Sequence, residues 1–311
     1  MPALAQARAP IRIGYLHTLA VDGQIWLATH LGAWARNGLE PQFREFKTGL
    51  EVFEALGGGS IDMLATGAVI SNFPARGKGK MFLVNSIEYA TAQLWVHADQ
   101  GIRSVADLRG RSVATTAGTT AHVFLDTALR ANGVEPSEVQ LQSLPMPAAV
   151  QAFISGTVPA VALWVPFNIA LREKVPQAIK LVDASAYYPQ AAIVGGWATS
   201  SAYHARNRAI LGRVVRAWAE GNDMMIARTN EALELLQQKH YPNVPARELK
   251  EQFGAQRVFA TAAWKPLYSS GKVTTWLQQV SDFFVRVGNI NNAVPAQQYF
   301  DPSIYLSTVK G

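Results

Sequence analysis

Through about the first 200 residues, short apolar runs alternate with stretches whose apolar positions recur at helical spacing. IRIGYL (11–16) reads as a buried strand. QIWLATHLGAWARNG (24–38) reads as a helix with Ile25, Leu27, Ala28, Leu31 and Trp34 turned inward and Gly38 as its stop. PQFREFK is the next strand, and TGLEVFEALGGG opens with a capping-box pair, Thr48 and Glu51, and closes on glycines. IDMLATG and KMFLVNSI add two strands. The alternation then returns as strand SVATT, a helix over 119–131, strand VQLQSL, helix PAAVQAFISG, strand AVALWV, a helix over about 166–174 and strand AIKLVDA. Such a pattern predicts right-handed βαβ units on mostly parallel sheets, an α/β protein.

Laid on itself, the chain shows a second regularity. NGLEP at 37–41 returns as NGVEP at 132–136, and Val52, Gly58, Leu83 and Val84 match Val150, Gly156, Leu181 and Val182. Two readings stand: any two βαβ stretches look alike, or two lobes of one design face each other. From about 203 onward the pattern is helical only, and a helical tail cannot complete a parallel sheet, so it must pack on a lobe. The expected division is 11–96 with 197–311 as lobe 1 and 97–196 as lobe 2, joined by crossing strands QLWVHA (93–98) and IVGGWAT (193–199).

Composition narrows the picture. A chain of 311 residues, 49% apolar, is long enough to split into two cores. The formal charge of +6 is spread along the chain, so no nucleic-acid surface is expected; RGKGK (76–80) is the one dense basic cluster, a solvated loop or a phosphate or partner contact. Cysteine is absent, which removes thiolate nucleophiles and disulfides. Ala3-Leu4-Ala5 and Ala5-Gln6-Ala7 have the small-x-small form of a signal-peptidase site, so the opening reads as the tail of a trimmed export signal. The uncharged run from Val139 to Leu171 is broken by Pro145, Pro147, Pro159 and Pro166, too often for a spanning helix.

HExxH, GxSxG, GxxxxGK[ST] and GxGxxG are all missing, and the six histidines never sit three or four apart, so neither an enzyme nor a metal or cofactor site is expected. ATTAGTTAHVFLDTALRANG (114–133) offers something else. Gly118 permits close approach of the backbone, Thr119 or Thr120 suits an N-cap, and the free amides of a first helical turn seat an anion. In open α/β sheets ligands bind beyond the carboxyl ends of strands, where Thr48-Gly49-Leu50, Thr66-Gly67-Ala68, Pro145-Met146-Pro147 and Trp164-Val165-Pro166 would also lie, all uncharged. One helix terminus contributes roughly 0.3–2 kcal/mol toward an anion, whereas micromolar binding needs about 8.2 kcal/mol. Several further hydrogen bonds and aromatic contact in a closing cleft must supply the rest. Trp164 is either such a wall or core, and Trp197 reads as core at the second crossing.

GLEVFEAL, VADLRGRSVATTAGTTAHVFLDTALRANGVEPSEVQLQSLPMPAAVQAFISG and LWVPF resemble the taurine and alkanesulfonate binding proteins of bacterial ABC importers, in the nitrate/sulfonate/bicarbonate group. The similarity runs over about 11–240. The resemblance implies a type II periplasmic binding fold of two lobes with an oxoanion in the cleft, a monomer that serves a permease and an ATPase. It also implies site positions: Thr119, Thr120, Ala121 and His122 for the sulfonate-seating segment, Leu16 and His17 after the first strand, Thr66, Gly67 and Ala68 after the third, Thr91 before the first crossing, and Trp164. His122 caps or packs as readily as it touches ligand. Where taurine-binding relatives carry acids for the amine, this chain has Ala92 and Gly195, and a buried ammonium without a partner costs several kcal/mol. The expected ligand is therefore an amine-free alkyl or aryl sulfonate or an aromatic carboxylate. An enzyme or a sensory module on the same scaffold is the competing expectation.

Overall fold

Ten strands among the described residues, 7–309 of the computed structural model, form two sheets. In chain order they are β1 (Ala9–Leu16), β2 (Leu39–Phe46), β3 (Met63–Thr66), β4 (Gly79–Ile87), β5 (Ala92–Val96), β6 (Ser112–Thr115), β7 (Gln140–Ser143), β8 (Ala160–Trp164), β9 (Ile179–Asp183) and β10 (Val194–Ser200). The sheet orders are β2-β1-β3-β10-β4 and β7-β6-β8-β5-β9. In each, the first three strands are parallel and the fourth runs antiparallel to its neighbour, β10 against β3 and β5 against β8. The α/β class expected from the alternation is the one observed.

The chain divides into two units: the described residues up to Ser86 with Val194–Lys250 and everything from Val258, and Ile87–Ile193 with Glu251–Arg257. The boundary expected at 96 moves to 86, because β5 pairs along its whole length with β8 and β9 of the second sheet. Likewise QLWVHA and IVGGWAT do not straddle the units as strands; β10 belongs wholly to the first sheet. Residues 251–257, expected with the first lobe, belong to the second unit, where Arg257 forms a backbone bridge with Ile87. Most of the stretch read as a trimmed signal, residues 3–6, lies outside the described residues.

In the first unit β1 buries Ile11, Ile13 and Tyr15, and the helix Leu19–His30 buries Leu19, Val21, Ile25, Leu27 and Ala28. That helix starts five residues before its expected start at Gln24, and it stops at Gly32, whose φ of +68° only glycine adopts readily; Ala33–Arg36 is a separate turn. It packs on the long helix Arg208–Ala227 at Gly221, where a Cβ would stand 2.4 Å from the Gln24 carbonyl oxygen. Trp197 is fully buried on β10, packed edge-on to Phe82. The basic cluster is tied down locally, with Arg76 donating to Asn72 and Asn289 and Lys80 to the Gln298 carbonyl. No helix among the described residues is long and apolar enough to cross a membrane.

Candidate functional site

The first unit gathers several predicted residues at the carboxyl edge of its parallel strands. His17 follows β1, Thr48 and Gly49 follow β2, Thr66 closes β3, Gly67 and Ala68 follow it, and Gly195 lies at the start of antiparallel β10, whose Gly196 registers with Thr66. Thr48 caps the helix Gly49–Gly57 with the reciprocal box to Glu51 that the spacing predicts. Thr66 is fully buried and its hydroxyl has no partner. A Cβ on Gly195 would touch Asn85 Oδ1 at 3.1 Å, Ser86 Oγ at 3.2 Å and the Thr66 carbonyl at 3.2 Å, so the small residue keeps a polar recess open. Asn85 Oδ1 is also buried without a partner. Buried polar atoms left this way cost free energy.

Beside this recess stands a network that sequence reasoning missed. Asp22, on the first turn of the Leu19–His30 helix, is fully buried and accepts from His17 Nδ1 at 2.6 Å, Trp26 Nε1 at 2.9 Å and the Tyr241 hydroxyl. His17 stacks on Tyr241 at 4.5 Å and Trp26 on His240 at 4.3 Å. Burial pushes the Asp22 carboxyl above the usual carboxylate range, while its three donors pull it back. The same hydrogen bond raises the His17 imidazole. Thr18 starts the helix in extended conformation without a side-chain cap bond, and among the described residues the Leu19 and Ala20 amides have no acceptor. A signal existed: an acid and Gln24 inside the otherwise apolar LAVDGQIWLATH are out of place on a core helix.

The second unit repeats the arrangement. Thr91 precedes β5, Thr119, Thr120 and Ala121 follow β6, Met146 follows β7, and Trp164 closes β8. Gly118, at φ +71°, turns the chain into the helix Thr120–Ala131; nothing lies within 4 Å of a Cβ there, so its conformation, not close approach, calls for glycine. Thr119 is the N-cap but makes no cap bond, because its hydroxyl donates to the Thr116 carbonyl at 2.7 Å. The amides of Thr119, Thr120 and Ala121 have no acceptor among the described residues. His122 Nδ1 accepts the Gly118 amide at 3.0 Å, and burial lowers the imidazole from its ordinary value. Met146 is buried and Trp164 half-buried against Phe167, edge-on at 5.5 Å.

One residue corrects the expectation of an uncharged mouth. Glu88, buried, accepts the Thr91 hydroxyl at 3.2 Å and the Thr120 hydroxyl at 3.3 Å. Those two hydroxyls, expected to hold a ligand, are committed to a carboxylate. The Arg257 guanidinium is stacked 5.0 Å from the ring of Tyr89, the residue after Glu88, and 5.0 Å from that of Tyr188. Glu88 went unread because EYAT carries no motif. Its role depends on a helix more than thirty residues away.

With this geometry in place, the comparisons decide the family. The NMT1/THI5-like family model matches residues 23–232. The chain belongs to the NMT1/THI5-like family. Within and around it, a Brucella abortus protein provisionally named a binding protein is 25% identical over 301 residues, 96% of this chain and 93% of its own length. An Escherichia coli K12 protein provisionally named for binding aliphatic sulfonates is 34% identical over 129 residues, 40% of each chain. The crystal structure of the E. coli periplasmic aliphatic sulphonate binding protein SsuA superposes with a TM-score of 0.78 at 23% identity, covering 97% of this chain and 94% of that one. SsuA from Xanthomonas axonopodis pv. citri, bound to MOPS, gives 0.71 at 19%, covering 96% and 100%. The desulfurization enzyme DSZB shares the scaffold at 0.65 and 14%, covering 97% and 99%. This NMT1/THI5-like chain therefore has the periplasmic binding protein fold.

Proposed function

We propose that the protein is the exported, periplasmic substrate-binding component of an ABC importer, a monomer that hands a small organic anion to a membrane permease driven by an ATPase. The ligand class is a sulfonate, alkyl or aryl and without an amine, with an aromatic carboxylate as the nearest variant. It binds at the carboxyl edges of the strands and leaves chemically unchanged. The observation that carries this reading is the opening turn of the Thr120–Ala131 helix, where three successive amides lack an acceptor at the end of a parallel strand. The E. coli relative named for aliphatic sulfonates and the MOPS-bound structure support a sulfonate; MOPS also carries a morpholine nitrogen, so it does not bear on the absence of an amine.

Glu88 favours a second reading, in which its carboxylate receives an ammonium on an aminoalkanesulfonate. Thermal shift and calorimetry with hexanesulfonate, benzenesulfonate, benzoate, ethanesulfonate and taurine separate the two. A ligand at a hundred times its Kd stabilises by about 2.7 kcal/mol. Stabilisation by hexanesulfonate or benzenesulfonate with little by taurine is the expected result. Taurine outperforming its amine-free counterpart ethanesulfonate would install the second reading, and conversion of any bound compound to product would replace both with an enzyme.

A further inference from the structure

The loop after β1 carries a histidine with both ring nitrogens in use. His17 Nδ1 meets the Asp22 carboxyl at 2.6 Å, and the His240 backbone takes a hydrogen bond from the ring, which leaves Nε2 as its donor. Asp22 is completely buried and also accepts from Trp26 Nε1 at 2.9 Å and from the Tyr241 hydroxyl, 219 residues further along the chain. The His17 ring stacks on that of Tyr241. His240 and Tyr241 follow the helix Thr229–Lys239, and the amides of both reach back to the Leu236 carbonyl. One side chain, 34% exposed, thus joins the loop after β1, the first turn of the Leu19–His30 helix and the end of a helix from far along the chain, all inside the first unit.

We propose that His17 is a proton-dependent clasp: with hydrogen on both nitrogens it fastens the loop after β1 to Asp22 and to the His240 backbone, and when one hydrogen leaves the tie to His240 opens. The logic does not depend on where the proton shared with Asp22 resides. With imidazolium facing carboxylate, Nε2 carries hydrogen; with neutral imidazole facing carboxylic acid, Nδ1 accepts and Nε2 again carries hydrogen. Once that proton leaves, the carboxylate keeps the remaining hydrogen on Nδ1. Nε2 then turns a lone pair toward the His240 backbone, and Asp22 is left a buried anion held by neutral donors only.

The surrounding groups favour the closed state. The hydrogen bond to Asp22 does most to raise the His17 imidazole; burial opposes it, and Glu45 on β2, itself paired with Lys47, and the His240 backbone add to it. Tyr15 and Tyr241 keep their hydrogens, because burial raises Tyr15 to about 12 and Tyr241 well above its ordinary value. The His240 ring, stacked on Trp26, is lowered by burial and opposed by His17 and His30. Since the folded His17 value lies above the unfolded value of about 6.5, the stability it supplies is fully present below about pH 6.5 and is lost as pH rises through the folded value. Asp22, raised by burial, acts in the same direction at more acid pH.

The test uses the ligand-free protein from pH 5.5 to 9. Histidine nitrogen NMR is expected to show His17 titrating above about 6.5, with Asp22→Asn moving it down by a unit or more and Tyr241→Phe, which strips a donor from the carboxylate, moving it up. In urea, the wild-type unfolding constant is expected to rise by up to about tenfold per pH unit above about 6.5 and then level off, and His17→Gln to lose that rise. Should Asp22→Asn not fold, Tyr241→Phe and the half-exposed His17→Gln carry the test. A wild-type His17 titrating at or below about 6.5, a titration that neither variant displaces, or an unchanged slope in His17→Gln overturns the clasp. None of these measurements involves a ligand, so their failure leaves the anion reading standing.

Discussion

The two sheets are built on one plan and finished differently. In both, a threonine in extended conformation, Thr18 or Thr119, opens a twelve-residue helix without a cap bond, just beyond the first parallel strand of its sheet. Register makes Thr66 of the first sheet the counterpart of Trp164 in the second, and Gly195-Gly196 the counterparts of Thr91-Ala92. The first edge is therefore a small polar recess beside a histidine held by a buried acid. The second is a helix mouth with an aromatic at one strand end and a carboxylate on its hydroxyls. One backbone design carries two surroundings, a histidine on a buried acid in one and oriented amides beside a carboxyl in the other.

The largest test of that pairing is steric. A Cβ on Gly196 would stand 2.5 Å from the Leu83 carbonyl oxygen and 3.0 Å from Met81 Cε, contacts that only strand separation relieves. Gly196→Ala is expected to lower stability by about 3 kcal/mol through overpacking. Its counterpart Ala92→Gly, which only deletes a buried methyl from a strand, is expected to cost about 1 kcal/mol. Urea unfolding of both variants measures the difference, and equal losses would show that the glycines of the first edge are not there for packing.

Glu88→Gln comes next and sharpens the contrast in charge. Glu88→Gln removes a carboxyl that accepts the Thr120 hydroxyl beside the amides proposed for the anion, and is expected to tighten ethanesulfonate several-fold by calorimetry. Taurine is expected to gain no more than ethanesulfonate does. A selective loss of taurine binding in the variant would mean that the carboxylate grips an amine.

What the sequence discloses and what it hides follow from the range of the interactions. Strand and helix periods are local, so SVATT, AVALWV and the 119–131 helix are legible, as is the Thr48–Glu51 box, whose partners are three residues apart. The near-repeat of NGLEP and NGVEP falls just ahead of or at the start of β2 and β7, which occupy the same place in the two sheet orders. Asp22 and Tyr241 are 219 residues apart and Glu88 meets Thr120 across 32, so each looks like an ordinary polar residue until the fold joins them. The expectation of an uncharged site failed at Glu88 for that reason. Domain limits slipped for a related one: whether LWV belongs to one sheet or the other depends on partners far along the chain.

The smallest expected effect distinguishes the two histidines. His17 is raised by an acid, whereas His122 is lowered by burial and accepts the Gly118 amide at Nδ1, a bond only the neutral ring makes. With its folded value below the unfolded value of about 6.5, the unfolded chain binds more protons in between, so stability attributable to His122 rises with pH through that window and is lost as pH falls below it. The loss is expected to be under about 1 kcal/mol once solvent screening of the partly exposed ring is allowed for. Chemical denaturation between pH 5 and 7 measures it, against His122→Asn, whose amide oxygen can take the Gly118 hydrogen without titrating. A variant that keeps the wild-type slope would move the origin of the acid sensitivity away from the helix mouth, and the contrast between a histidine raised by an acid and one lowered by burial would carry no consequence for stability.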